Sequence, residues 1–581
     1  MTSATLAAAR PSLAQLLLPY WVSKDRYWAW GLLATCLSIS FGGIYVSLLA
    51  TEVVAKTTDA LVARDWPTLW STLIFGFVLG LLMAGLAIVS YAAQEYLQLR
   101  WRAWLSHRLI DRWTANQRFY PVERDGLVSN SDQRISEDIN IFVQRSLLLT
   151  LGVITVPVSA VTFGGVLWGL SGVLSLELGG HTFEIPGYLL YAAIIYSLLG
   201  LLIAHWVGKP LIALNIRKQT VEADFRALGM NLRENAEQIA FYRGGPREGH
   251  RMMQQFRQVQ LNFIALLIRI CKSSVANSAY LQVGSLVPTA LSMPRYLSGA
   301  VSLGGLTQVT AAFNQVSSSL NFFSSSYVDF SIWLASANRL RDLQGALLSL
   351  ETQVPGITLR FTDKPVIAAS ALTLTSPLGE TLSHTPGVYI EQGQKWVVRG
   401  PSGAGKSTLM RALSGLWPHG SGWVQVPDSS VSQLFVPQKS YIPQGTLKAA
   451  LCYPDGDSRF DDDQCRQALI DVRLEARVES LTQAADWQNL LSGGEQQRLA
   501  IARVLLQQPK LVFFDEATSG LDPDTERYIY QLLFARLSES AIISISHNRE
   551  LDPLFSHTLD ITPAHDIGPA ADATTHMSVR P

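Results

Sequence analysis

Charge is scarce in this chain. Asp, Glu, Lys and Arg together make up 16% of 581 residues, against roughly 25% in a soluble globular protein. That shortage excludes a disordered, charge-solvated polymer. Cysteine is scarce too: Cys36, Cys271, Cys452 and Cys465 are scattered without a CxxC pair, which argues against a zinc site and a disulfide framework. Neither half gathers Lys and Arg into a concentrated basic patch, so no nucleic-acid partner is expected. The N-terminus lacks the short basic, apolar, small-residue order of a cleaved signal peptide. What is abundant is apolar: 48% of residues are hydrophobic and the mean hydropathy is +0.18. The length suggests two to four domains, and a lipid bilayer is the expected solvent for part of them.

The net charge of zero conceals a division. Residues 1–345 hold 27 Lys+Arg and 20 Asp+Glu, which leaves 19 and 26 for the remainder. Within the basic half, six runs reach the roughly 20 apolar residues that a membrane helix needs: Trp28–Val54, Leu69–Ala93, Ser146–Ser171, Tyr188–Val207, Val275–Met293 and Leu303–Leu334. Connections after the first, third and fifth runs are expected to be short. Those after the second and fourth are long, charged and helical in pattern, and they are expected to extend the membrane helices. Arg100, Arg102, Arg108, Arg112 and Arg118 follow the second run, and Lys209, Arg217, Lys218 and Arg226 the fourth. The positive-inside rule puts the N-terminus, both long connections and the C-terminal half in the cytoplasm.

The acidic half carries the chemistry. A β-rich run leads into Gly400-Pro401-Ser402-Gly403-Ala404-Gly405-Lys406-Ser407-Thr408, and a helical pattern follows. This is GxxxxGK[ST] in its strand–loop–helix context. Glycines let backbone N–H groups curl around phosphate oxygens, and the helix N-terminus adds partial positive charge. Lys406 is expected on the β/γ-phosphates and Ser407 on Mg²⁺; the motif by itself leaves kinases, GTPases and ATPases open. Lys510–Glu516, KLVFFDE, reads as a buried strand ending in two acids. Asp515 suits a Mg²⁺ contact, and Glu516 is placed to orient or deprotonate a water.

Between them stands Leu491-Ser492-Gly493-Gly494-Glu495-Gln-Gln-Arg498. Here the chain resembles ATP-binding-cassette (ABC) ATPases, whose signature is LSGGQ-like, with Glu495 in place of the commoner Gln. The resemblance implies that Ser492, Gly493, Gly494 and Glu495 cover the γ-phosphate of ATP bound to the opposite subunit. It also implies a Q-loop at Gln438, touching metal and water, a D-loop at Ser519–Asp522 and a switch histidine at His547. The aromatic that the family stacks on adenine is replaced by Ser376; Tyr389 and Trp396 are the substitutes considered. The membrane half resembles one branch. Asn130-Ser-Asp-Gln-Arg-Ile-Ser-Glu-Asp138 is close to a stretch of YddA-like bacterial transporters. Asn235-Ala-Glu-Gln-Ile-Ala-Phe-Tyr-Arg-Gly244 is similar to the EAA-like motif of the peroxisomal fatty-acyl (adrenoleukodystrophy-type) subfamily. Pro294-Arg-Tyr296 and Ser302-Leu-Gly-Gly305 fit the same branch, which includes the SbmA/BacA-related carriers. The resemblance makes Asp132, Gln133, Arg134, Glu237, Phe241 and Tyr242 candidate coupling residues.

The expected fold is therefore a multi-pass α-helical, exporter-type membrane domain over residues 1–345 and an α/β P-loop ATPase over 346–562. A disordered tail is expected over 563–581. The expected function is ATP-driven movement of a bulky amphipathic solute: a peptide, cobalamin-like compound, siderophore or acyl compound. It would run as a homodimer in the bacterial cytoplasmic (inner) membrane, with ATP and Mg²⁺. Direction is open, and so is a membrane-bound ATPase that regulates or senses without net transport. On the sixth run, Val309, Phe313, Val316, Leu320, Phe323, Tyr327, Phe330 and Leu334 form an apolar stripe. Asn314, Ser318, Asn321 and Ser325 lie opposite, and Asn314, Ser318 and Asn321 are the candidate substrate path.

Overall fold

Each of the six apolar runs lies on its own long helix. In the computed structural model, which describes residues 10–178, 181–352, 355–428 and 430–563, these are α2 (Arg26–Ala63), α3 (Trp66–Thr114), α4 (Ile139–Ser171), α5 (Tyr188–Glu234), α7 (Gly245–Leu297) and α8 (Leu303–Thr352). Among the described residues, four helices are long and apolar enough to cross a membrane by length and composition: Arg26–Ala63, Trp66–Gln117, Ser131–Ser171 and Gly245–Leu297. Tyr188–Ile203 is a shorter apolar stretch. The run on α8 does not reach that standard, because serines and asparagines dilute it. At about 1.5 Å per residue, α3, α5 and α7 run to roughly 70–80 Å, far more than the ~30 Å of a hydrocarbon core. The long charged connections are thus largely continuous helix, as expected.

Two elements escape the search for apolar runs. A short helix α1 (Leu13–Trp21) starts at Ser12, whose hydroxyl accepts the Gln15 N–H while the Gln15 side chain accepts the Ser12 N–H. The connection after the third run is not a simple short loop. It is an antiparallel hairpin, β1 (Val173–Leu178) against β2 (His181–Pro186), and its alternating V-L-S-L-E-L has the two-residue period of a strand. Tyr20 of α1 stacks on Trp101 of α3 at 5.5 Å, and both are buried with Leu33, Leu97, Leu105 and Phe142.

The NSDQRISED stretch folds as a short helix and a π-helical turn, Arg134–Asp138, that enters α4. Arg134 and Asp138, at the two ends of that turn, are buried. Arg134 donates to the Ser129 carbonyl at 2.9 Å and to the Arg339 carbonyl at 2.7 Å. Asp138 accepts from Arg339 Nε at 2.7 Å. Asp132, Gln133 and Glu137 stay exposed.

The described residues divide into two compact units between Glu351 and Thr352. The division falls there rather than after Gly345 because α8 continues to Thr352. The second unit is built on five parallel strands: β3 (Lys395–Arg399), β4 (Gln433–Val436), β5 (Leu511–Asp515), β6 (Ala541–Ile545) and β7 (His557–Asp560). Their order is β4-β5-β6-β3-β7. Alternate residues of β5 serve opposite faces. Leu511 and Phe513 pack with Leu409, Met410 and Leu413, whereas Val512 and Phe514 pack with Leu499, Ile501 and Val504. A largely antiparallel sheet adjoins this layer, and Thr562–Pro563 pairs with Thr381–Thr385 within it. Pro563 therefore belongs to the fold rather than to the expected tail; residues 564–581 lie outside the described residues.

Asp138→Ala strands Arg339 and removes a charge-assisted pair worth about 1.5–3 kcal/mol. The expected result is a membrane unit that unfolds several degrees earlier in thermal scans. Gln133→Ala, at an exposed position, is expected to leave the transition where it was.

Candidate nucleotide site

Four loops meet because four neighbouring parallel strands end together. Ligands of open α/β sheets bind outside the C-terminal ends of their strands. At this edge β3 runs into the Gly400–Thr408 loop, β4 precedes Gln438, β5 ends on Asp515 and Glu516, and β6 precedes His547.

At two glycines of the first loop a side chain meets both a strained φ and a clash. Gly405 has φ +83°, and a Cβ there would meet Ser383 Oγ at 2.8 Å; Gly400 has φ +148°, and a Cβ would meet the Ile561 carbonyl at 2.7 Å. Helix α9 (Lys406–Leu413) begins immediately after, so its first N–H groups face the loop. Lys406 is buried, and its Nζ donates to the Gly400 and Pro401 carbonyls, both at 2.9 Å.

The acids divide into two working pairs. Ser407 Oγ donates to Asp515 Oδ1 at 2.8 Å. Burial pushes the Asp515 carboxyl above its ordinary range and Glu516 adds to this, while the Ser407 hydroxyl, Arg411 and Lys406 oppose it. A hydroxyl and a carboxylate in contact are the hard oxygen donors that Mg²⁺ takes alongside substrate phosphates. Among the described residues no cluster of three His, Cys, Asp or Glu could hold a metal by itself. Glu516, next along, has φ +51°, a left-handed conformation that costs a non-glycine residue about 1–3 kcal/mol. Its carboxylate accepts from Gln438 Nε2 at 3.0 Å through one oxygen, and lies 2.9 Å from His547 Nε2 through the other. Lys406, Ser407, Asp515, Glu516, Gln438 and His547 are thereby brought to one edge.

The Ser492–Glu495 loop opens α10 (Gly493–Gln507), and its Gly493 and Gly494 line a groove of about 350 Å³ with Gln438, Lys439, Ser440, Gln496, Gln497, Ser519 and Gly520. Among the described residues, no hydrogen bond or ion pair joins it to Gly400–Thr408. Asp522 caps α11 (Pro523–Arg536): its carboxylate accepts the Thr525 N–H at 2.9 Å, and that bond holds it below its ordinary range.

The sequence matches two family models: ABC transporter transmembrane region 2 over residues 13–297, and ABC transporter over residues 384–519. An ABC transporter ATP-binding protein of Haemophilus influenzae is 34% identical over 478 residues, covering 82% of this chain and 79% of that one. The chain belongs to the ABC transporter family. The inner membrane ABC transporter ATP-binding protein YddA of Escherichia coli is 28% identical over 551 residues, covering 94% of this chain and 96% of YddA. The human lysosomal cobalamin transporter ABCD4 is 26% identical over 596 residues, covering 94% and 93%. The fold matches a bacterial Atm1-family ABC exporter with ATP bound, with a TM-score of 0.71 at 18% identity over 93% of this chain and 94% of the exporter. The ABC transporter described here is thus an exporter-type membrane domain fused to an ATPase whose hydrolysis drives transport.

Its membrane unit sorts the remaining expected residues. Glu237, Phe241 and Tyr242 lie on or beside α6 (Ala236–Phe241), a short helix between α5 and α7, where Phe241 is 78% and Tyr242 87% exposed. Arg134 differs: it is buried against the backbone of α8, so it fastens its own unit. On α8, Val309, Phe313 and Val316 pack with Phe163, Leu167 and Tyr196. Asn314 and Ser318 are exposed, and Asn321 is half-buried beside Tyr280. The apolar stripe is not protected throughout, since Tyr327 and Phe330 are exposed. The side chains of Phe323 and Ser325 lie outside the described residues.

Trp396 is not an adenine platform. It is buried in β3, with its ring stacked on His557 at 4.5 Å. Tyr389 stays exposed, and Ser376 closes a turn by donating its N–H to the Glu380 carbonyl at 2.7 Å.

Two positioning residues were given no role by the motifs, although Gln497 stands inside the Leu491–Arg498 run. Gln497 Oε1 accepts the Gly520 N–H at 2.9 Å, tying α10 to the Ser519–Asp522 loop. Arg399, the last residue of β3, donates to the Ser546 carbonyl, to the Asn548 carbonyl at 2.7 Å and to Asp552. It holds the backbone on both sides of His547. Arg399→Gln is therefore expected to lower the ATPase kcat about tenfold while ATP affinity changes less than twofold, measured by steady-state turnover and equilibrium binding.

Proposed function

We propose that two copies of this ABC transporter form a homodimer in which two ATP molecules are each held between the Gly400–Thr408 loop of one copy and the Ser492–Glu495 loop of the other. One observation carries the reading. The phosphate-binding loop, both acids, Gln438 and His547 share one sheet edge, whereas Gly493–Glu495, at the start of a helix, has among the described residues no bond to that loop. A second copy supplies the missing donors. Ser407, Asp515 and Gln438 would hold a Mg²⁺ ion bound with ATP, which would supply charge neutralisation at the β- and γ-phosphates. Lys406 pairs with the same oxygens. Glu516 orients the attacking water and takes its proton, and His547 and Gln438 fix that carboxylate. Positioning and electrostatics supply the rate. Asp522 acts as the end of the Ser519–Asp522 loop, fixed by capping α11.

ATP binding draws the ATPase units together, hydrolysis releases them, and the membrane cavity alternates between faces by a shift in population. Asp132, Gln133, Glu237, Phe241 and Tyr242 carry that motion between units, and Arg134 keeps its turn rigid. Asn314 and Ser318 are exposed on a helix whose neighbouring apolar residues Val309, Phe313 and Val316 are spent on packing. Facing lipid, they would be costly, so with Asn321 they line a watery path. The path suits a bulky amphipathic solute of the peptide, cobalamin-like, siderophore or acyl type. The location is the bacterial cytoplasmic (inner) membrane, with the N-terminus and the ATPase unit cytoplasmic.

Glu516→Gln preserves the geometry and removes the base. It is expected to bind ATP, to cut turnover at least a hundredfold and to trap a closed dimer with unhydrolysed ATP. Lys406→Ala is expected to weaken ATP binding itself. Parent-level turnover in Glu516→Gln, measured by phosphate release in nanodiscs, would remove Glu516 from the chemistry.

A further inference from the structure

Glu495 creates an electrostatic conflict. Its carboxylate sits in the first turn of α10, whose N-terminus must, on the dimer reading above, receive the γ-phosphate held by the other copy. Two anions at one helix N-terminus repel each other. The structure shows how the first anion is answered. Glu495 Oε2 accepts the Ser492 N–H at 2.9 Å, which turns the carboxylate back on its own loop. Glu495 Oε1 lies 3.1 Å from both Nε and Nη2 of Arg477. Arg477 stands on a separate 3₁₀ turn, Glu475–Ser480. A neighbouring bond, from Arg498 of α10 to the Arg473 carbonyl at 2.6 Å, holds the segment before that turn beside the helix. Burial works to raise the Glu495 carboxyl, but the Ser492 N–H and the Arg477 guanidinium together hold it below its ordinary range.

We infer that Arg477 is a positioning residue for ATP hydrolysis: by pairing with Glu495 it cancels the carboxylate's charge and holds it on Ser492, leaving the N-terminus of α10 open to a γ-phosphate. A carboxylate at this position then works only with its arginine. A neutral amide there needs no such partner.

The test is a double-mutant cycle on the full-length chain in nanodiscs, read as the KM for ATP. Arg477→Gln is expected to raise KM about tenfold in the parent. In the Glu495→Gln background the same change is expected to cost less than twofold. The affinity for ADP, which has no γ-phosphate, should change less than twofold in Arg477→Gln, which separates the effect from general unfolding. Raising the ionic strength from about 0.05 to 0.5 M should shrink the parent-background penalty, because salt screens exposed charge repulsion. An equal penalty in both backgrounds, or no penalty in the parent, would overturn the inference. The dimer reading is checked separately with Gly493→Asp. A Cβ at Gly493 meets nothing within 4 Å, so the substitution fits its own subunit and should abolish turnover by repelling the incoming phosphate. Turnover that survives Gly493→Asp would fault the dimer reading; a missing Arg477–Glu495 coupling in a protein that Gly493→Asp inactivates would fault only the inference.

Discussion

The C-terminal edge of one parallel sheet is what the chemistry depends on. Side by side, β4, β5, β6 and β3 end at the same level, and each hands over one part of the site. The groups that arrive there have no natural tendency to congregate. Asp515 is buried, Glu516 is held in a left-handed backbone conformation, and Lys406 is out of water. Asp515 and Glu516 persist because other loops bond to them, and Lys406 because two carbonyls of its own loop accept its protons. Packing on both sheet faces meets the cost of holding these groups ready, and this readiness is what electrostatic catalysis requires.

Much of this was legible in the sequence, because the chemistry is written in contiguous runs. GPSGAGKS, KLVFFDE and LSGGE each announce their strand, loop or helix, and six apolar runs announce six helices. What stayed hidden depends on partners far apart in the chain. Arg399 braces His547 from 148 positions away, and nothing near either residue marks the connection. Arg477 meets Glu495 only after a turn and a helix have folded together. The β1–β2 hairpin was passed over for a different reason: an alternating strand contains no 20-residue apolar run. Trp396 misled because an aromatic beside a phosphate loop looks available, yet β3 is an inner strand buried on both faces.

The membrane unit divides its polar residues by the same logic. On α8, Gln315 and Ser319 bond to Ser159 of α4 at 3.3 and 3.2 Å, which is the glue expected between membrane helices. Asn314 and Ser318 turn the other way and remain open. The NSDQRISED turn makes a similar division, burying Arg134 and Asp138 while exposing Asp132, Gln133 and Glu137. In both places one short stretch fastens its own unit and offers a polar face to something outside it.

Sharing of each ATP site between two copies can be tested without any knowledge of the transported solute. Lys406→Ala chains lack a working phosphate loop, and Gly493→Asp chains lack a working signature loop. Co-assembled in equal amounts, half of the dimers are mixed, and each mixed dimer holds one site built from the two intact halves. About a quarter of parent ATPase activity should return, although each variant alone is inactive. If every site belonged to a single chain, the mixture would stay as inactive as its components, and that result would contradict the shared site.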